Sequence, residues 1–224
     1  MTDLTFIDWG LIPYSEAYKK QNELFEAAIR QKSEQKETQQ TIIFCEHPHV
    51  ITIGKHGSAT NLLFPEKTLK EKQVELYPVD RGGDVTYHGP GQLVGYPIID
   101  LEAFHIGLKM YIFRLEEIII RLLDQYTLKG ERLDKAAGVW LDAGDPPKAR
   151  KICAIGVKSS RYVTMHGFAL NVSTDLSYFG LINPCGFKDK GVTSLEKELN
   201  GKVDFEELKD RLKYIFRETL MEGC

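Results

Sequence analysis

The chain has 224 residues, enough to bury a sizeable core, and one domain spanning residues 1–224 is the expected organisation. Its 29 basic and 32 acidic residues leave a net charge of −3, so no global basic field points to nucleic acid or to an anionic membrane. The four cysteines, Cys45, Cys153, Cys185 and Cys224, are too few and too scattered for a disulfide framework, which predicts reduced thiols in a cytoplasmic protein. No apolar stretch reaches membrane-spanning length, and the opening MTDLTFIDWGLIPYSEAY lacks the basic start and long apolar run of a secretion signal.

In chain order, hydrophobic periodicity predicts a short strand at Leu4–Asp8 and a helix over Tyr14–Gln35 with Ala17, Leu24, Ala27 and Ile29 on its apolar side. Two apolar runs, Thr41–Cys45 and Val50–Gly54, flank His47-Pro48 and read as neighbouring strands around a loop, an arrangement that fits a hairpin. Strands are expected at Val74–Val79, Asp84–His88 and Leu93–Leu101, each rich in β-branched or aromatic residues, and together they suggest a sheet. Met110–Tyr126 carries the strongest helical pattern and should cover one sheet face. After Gly138–Leu141 and a Gly/Pro loop come strands at Lys151–Val157 and Thr164–Val172, then an amphipathic helix over Asp204–Met221. This order gives an α+β fold, a mixed β-sheet flanked by helices, rather than a regular βαβ series.

Chemistry is sought first among the thiols. A free cysteine is more often a small buried hydrophobe than a nucleophile, and Cys45, at the end of an apolar run, and Cys224, at the chain end, fit bland readings. Cys153 is a stronger candidate: on a regular strand it shares a face with Lys151, whose ammonium could polarise the thiol. Cys185 stands in Asn183-Pro184-Cys185-Gly186, where proline fixes the backbone before the thiol and glycine permits an unusual turn after it. Local context favours Cys185 without excluding a turn whose cysteine merely packs. A thiol of pKa ~8.5 is only a few per cent thiolate at neutral pH, so a lysine beside it would both raise that fraction and move protons.

The run Arg81-Gly82-Gly83-Asp84-Val85-Thr86-Tyr87-His88-Gly89-Pro90-Gly91-Gln92 joins glycine turns to a cation, an imidazole and an aromatic ring, and its small residues would let backbone approach a ligand. It matches neither GxxxxGK[ST] nor GxGxxG, so a nucleotide phosphate site is not supported. Cys45, His47 and His49 alternate like metal ligands on a strand, but Pro48 interrupts the strand and no second ligand cluster follows, so no metal is expected. His166 could shape a cleft or be an ordinary satisfied histidine.

Three ordered segments, RGGDVTYHGPGQLVGYPIIDL, ARKICAIGVKSSRYVTMHGFALNV and INPCGFKDKGVTSL, strongly resemble the lipoyl(octanoyl) transferases of endogenous lipoate synthesis, and the likeness runs from about Glu46 to Leu195. The resemblance implies the fold of biotin and lipoate protein ligase catalytic domains, with Cys185 forming an acyl-enzyme and Lys151 as its partner. It further implies acyl-substrate contacts from Arg81–His88, from Ala154, Ile155 and Gly156, and from Gly167, Phe168 and Ala169. Asp84 stands where the family often has a basic or amide residue, and no family thiol corresponds to Cys153. The implied reaction takes octanoyl from octanoyl–acyl carrier protein and gives it to a lysine of lipoyl domains, in 2-oxoacid dehydrogenase complexes or the glycine cleavage H protein, with no ATP and no cofactor. Lys148, Arg150, Lys151, Lys158 and Arg161 are candidates for meeting an acidic carrier, or are ordinary solvated charge. Rival readings are an ATP-dependent lipoate or biotin ligase, a cysteine-dependent octanoyl transamidase and a non-catalytic carrier-binding module.

Overall fold

The computed structural model describes residues 3–183 and 190–222. The first strand, β1 (Leu4–Leu11), runs parallel to β2 (Gln40–Glu46), and the helix between them, α1 (Tyr14–Ser33), packs on one face of the sheet they begin. α1 stops short of Gln35, which adopts φ +57°. Its buried stripe is Tyr14, Ala17, Gln21, Phe25 and Ala28, so the expected Leu24, Ala27 and Ile29 flank the contact line half-buried.

The main sheet continues through β6 (Gln92–Ile98), β10 (Val163–Asn171), β9 (Arg150–Ser160), β8 (Ala136–Leu141) and β7 (Glu131–Leu133) in the order β1-β2-β6-β10-β9-β8-β7, with the two-residue β11 (Gly191–Val192) parallel to β9. Strands β2, β6 and β10 have helices on both sides, and their side chains divide between two cores by the period of two. Ile42, Phe44, Leu93 and Leu170 meet α3 (Leu108–Asp124) and α5 (Phe205–Met221), whereas Ile43, Cys45, Val94, Tyr96 and Ala169 meet α1. Asp204 caps α5 by accepting from the N–H groups of Glu206 and Glu207, and Leu208, Leu212, Ile215 and Phe216 follow at helical spacing.

A separate three-stranded sheet holds β3 (Val50–Ile53) between β4 (Glu75–Pro78) and β5 (Val85–His88). The expected hairpin of Thr41–Cys45 with Val50–Gly54 therefore does not exist: β2 and β3 lie in different sheets. His47 explains the crossing, because its Nδ1 meets the Ile12 carbonyl (2.8 Å) and its Nε2 meets the Tyr96 hydroxyl (2.7 Å), fixing the chain where it leaves the main sheet. The strands read from Val74 to Leu101 likewise divide, β4 and β5 to the small sheet and β6 to the large one.

Candidate active site

One cavity of about 540 Å³ opens where the two sheets meet. Its walls come from the loop before β5, the middle of β9 and β10, the start of β6, the first residue of α1, and the segment Lys190–Val192. The loop is drawn against the main sheet by a backbone bond from Gly82 N–H to the Val157 carbonyl (2.9 Å), and to the small sheet by Lys55 N–H on the Arg81 carbonyl (3.0 Å). Gly83 turns with φ +86°, and a Cβ on Gly156 would lie 3.0 Å from the Gly82 carbonyl, so both positions need the missing side chain.

Arg81 is buried, with Nη2 donating to the Thr52 carbonyl (2.9 Å) and hydroxyl (2.8 Å), and the cavity wall includes its guanidinium-bearing residue together with Gly82, Gly83, Asp84, Val85, Thr86 and His88. Tyr87 is the exception in that run. Alternation along β5 turns it into the small-sheet core, where it stacks on Tyr178 and meets the His49 ring through its hydroxyl (2.7 Å). Ala154, Ile155 and Gly156 of β9 and Gly167, Phe168 and Ala169 of β10 all reach the cavity, as expected.

Lys151 reaches it too, and Cys153 does not. The pairing Val139 with Cys153 and Trp140 with Lys151 advances one residue on β8 and two on β9, a β-bulge at Ile152. Ile152 and Cys153 consequently both enter the core beneath α3 and α5, fully buried, and Lys151 faces the other way. The shared face expected for Lys151 and Cys153 is overturned by that extra residue. Burial pushes the Cys153 thiol well above its ordinary range, which removes it as a thiolate at neutral pH. Lys151 Nζ donates to the Ala137 carbonyl (3.3 Å) and lies 4.6 Å from the centre of the Trp140 ring. That wall is braced from behind by Glu116, whose carboxylate accepts from Gly138 N–H (3.1 Å) and from Arg132 Nε (3.1 Å).

A chain of hydrogen bonds ties the three sequence segments together. His88 Nδ1 donates to Gln92 Oε1 (2.7 Å), Gln92 Nε2 to Asn171 Oδ1 (2.8 Å), Asn171 Nδ2 to the Thr193 carbonyl (3.0 Å), and Thr193 N–H to the Lys151 carbonyl (3.0 Å). Gln92 and Asn171 line the cavity and were not singled out from sequence; their position on strands otherwise apolar was the available signal. Tyr14, stacked on His88 with ring centres 6.0 Å apart, had no such signal, being simply the first residue of an amphipathic helix.

The imidazoles in and beside the cavity are held neutral. Burial, with the nearby His47 adding to it, brings His88 down to about 3, and burial brings His47 down to about 4. His166 is also lowered by burial, and its Nε2 donates to Asp80 Oδ1 (2.9 Å) from a backbone φ of +61° that turns the ring out of strand alternation towards Tyr18. Asp80, bonded to His166 and to Lys158 Nζ at 2.6 Å, is held well below the usual carboxylate range. Neutral imidazoles, phenols and small residues suit an alkyl chain with a carbonyl at one end.

Among the described residues no three metal-ligating side chains converge: Cys45 and His47 adjoin at 3.6 Å, and His49 is turned to Tyr87 and Tyr178. Of the basic residues weighed either for meeting an acidic carrier or as ordinary solvated charge, Lys148 pairs with Asp145, Arg150 with Glu198 and Asp142, and Lys158 with Asp80. Cys185 lies outside the described residues.

The fold is that of lipoate and biotin protein ligase catalytic domains. The bipartite lipoate protein ligase of Thermoplasma acidophilum superposes with a TM-score of 0.73 at 18% identity, covering 98% of this chain and 84% of that one, and the biotin protein ligase of Aquifex aeolicus with 0.52 at 13%, covering 98% and 70%. The lipoyl protein ligase A/B catalytic domain model matches residues 17–217. The octanoyltransferase of Parabacteroides distasonis is 58% identical over 218 residues, 97% of this chain and 99% of its own, and that of Bacteroides thetaiotaomicron is 56% identical over 92% and 91%. The chain belongs to the lipoyl protein ligase A/B catalytic-domain family and, within it, to the octanoyltransferases.

Proposed function

We propose that residues 1–224 act as one catalytic domain that moves octanoyl from octanoyl–acyl carrier protein to a lysine of a lipoyl domain, through a thioester on Cys185 with Lys151 as proton carrier. Lipoyl domains of 2-oxoacid dehydrogenase complexes and the glycine cleavage H protein are the acceptors. The observation that carries this reading is the position of Lys151: the bulge in β9 turns it into the cavity, beside Lys190–Val192, which follow Cys185 by only five to seven residues.

Cys185 Sγ attacks the carbonyl of the carrier thioester, its proton passes to the departing carrier thiol, and the octanoyl C–S bond is exchanged for a new one. The acceptor ε-amine then attacks that carbonyl, a C–N bond forms, the bond to Cys185 Sγ breaks, and the amine proton returns to the sulfur by way of Lys151. His88 at about 3 is too weak a base for either step at neutral pH, so its neutral ring serves as a wall and hydrogen-bond donor. The octanoyl tail lies among Val94, Ala154, Gly156, Gly167 and Ala169. The incoming thioester already holds the energy of an acyl transfer, so no nucleotide takes part, and kinship with octanoyltransferases at 58% identity does not favour the ATP-dependent ligase, to which likeness is at the level of fold.

Purified protein, octanoyl–acyl carrier protein and a lipoyl domain, without ATP, are expected to give octanoyl-lysine on the acceptor. Lys151→Ala is expected to lower turnover by about 100-fold or more, in the range of a lost acid–base group. A strict need for ATP, or near-normal turnover by Lys151→Ala, contradicts the reading.

A further inference from the structure

The first turn of α3 belongs to the cavity rather than to the core. Tyr111, Leu115, Ile118, Ile119 and Leu122 carry the buried stripe of that helix, and Leu108 and Ile112 continue it towards the N-terminus, where they line the cavity. Leu108 is exposed, and so are Lys109 and Phe113, each about 100° further round the helix than Leu108 and Ile112 respectively. Lys135 and Ala137 of the β7–β8 hairpin, on which α3 packs, line the same cavity and are exposed too. Lys135 occupies the two-residue turn at φ +60°, where glycine or asparagine is the residue of least strain.

The charge of this rim is one-sided. Among the described residues neither Lys109 nor Lys135 has an ion-pair partner, and no acid stands in the first turn of α3 to offset the positive end of its dipole. The described cavity wall holds Arg81, Lys135, Lys151 and Lys190 against the carboxylate of Asp84. The two protein partners differ in what they bring to such a site. The acceptor's reacting group is an ammonium, which an excess of cations repels. The donor's is an uncharged thioester on a phosphopantetheine arm, whose phosphodiester is anionic and whose carrier is acidic, so the same cations attract it. Leu108, Ile112 and Ala137 then form an apolar strip leading an octanoyl chain inward.

We propose that octanoyl–acyl carrier protein docks on the first turn of α3 and the β7–β8 turn, with Lys109 and Lys135 meeting its acidic surface and Leu108 and Phe113 supplying the apolar contact. The assignment rests on the thioester reading above.

The test follows acylation of the full chain by intact mass with two donors, octanoyl–acyl carrier protein and octanoyl-N-acetylcysteamine, a neutral thioester with no protein attached. Lys109→Glu and Lys135→Glu are each expected to lower the second-order rate constant with the carrier about 10-fold more than with the small donor. With the carrier, the wild-type rate is expected to fall as salt rises, and more steeply than that of either variant. Equal losses with the two donors, a carrier rate that charge reversal leaves unchanged, or a wild type acylated by the small donor alone overturn the proposal. A loss confined to deacylation by the lipoyl domain assigns the surface to the acceptor and overturns it as well. Failure of the wild type to form octanoyl-enzyme from either donor overturns instead the thioester reading, and the proposal with it.

Discussion

His47 and His88 show how far single side chains are committed to the neutral form in this protein. Both are buried, both have folded pKa values well below the ordinary ~6.5, at about 4 and about 3, and burial is the largest cause in each. Below pH ~6.5 the unfolded chain therefore takes up protons that the folded chain refuses, so their contribution to stability is full above that pH and is lost as pH falls towards the folded values. The slope is about 1.4 kcal/mol per pH unit for each histidine below pH ~6.5, and the unfolding free energy in urea is expected to be roughly 4 kcal/mol lower at pH 5 than at pH 7. A stability that does not change between those two pH values contradicts the burial of neutral imidazoles. At this same scale Lys151 was legible in the sequence only through its resemblance to a known segment. Local periodicity paired it with Cys153, because a period of two has no way to register an inserted residue, and the bulge at Ile152 then sent the two side chains apart.

Elements were easier to read than their partners. The amphipathic pattern of α3 and α5 and the apolar runs of β2, β6, β9 and β10 appeared near their observed bounds, since helical and strand periods are local properties of the chain. Pairing is not local. The assignment of β2 and β3 to different sheets depends on His47 bonds to Ile12 and Tyr96, residues 35 and 49 positions away. Short β7, β11, α2 (Glu66–Glu71) and α4 (Leu195–Leu199) carry too few residues for any period to stand out. The pairing of β10 with β6 shows what a single position contributes to an element: a Cβ on Gly167 would lie 2.2 Å from the Gly95 carbonyl, and backbone is what would have to move. Gly167→Ala is expected to destabilise the fold by about 1–3 kcal/mol, in the range of overpacked cores, measured by urea unfolding. A variant as stable as the parent would mean that the two strands approach less closely than described.

Across the whole molecule, the cavity is a product of two sheets that the chain enters alternately. The small sheet and the loop before β5 deliver Arg81–Thr86 and His88, the large one delivers Lys151, Ala154–Gly156 and Gly167–Ala169, and the successive bonds His88 to Gln92, Gln92 to Asn171 and Asn171 to Thr193 fasten them together. The candidate site was legible as three glycine-bearing segments, and its convergence was not, because nothing in a linear pattern reports which segments share a hydrogen-bond chain. The most direct measurement is the intact mass of the protein after incubation with octanoyl–acyl carrier protein, for the wild type, Cys185→Ser and Cys153→Ala. One octanoyl group is expected on the wild type and on Cys153→Ala and none on Cys185→Ser, whereas an adduct that persists in Cys185→Ser and vanishes in Cys153→Ala would contradict the account.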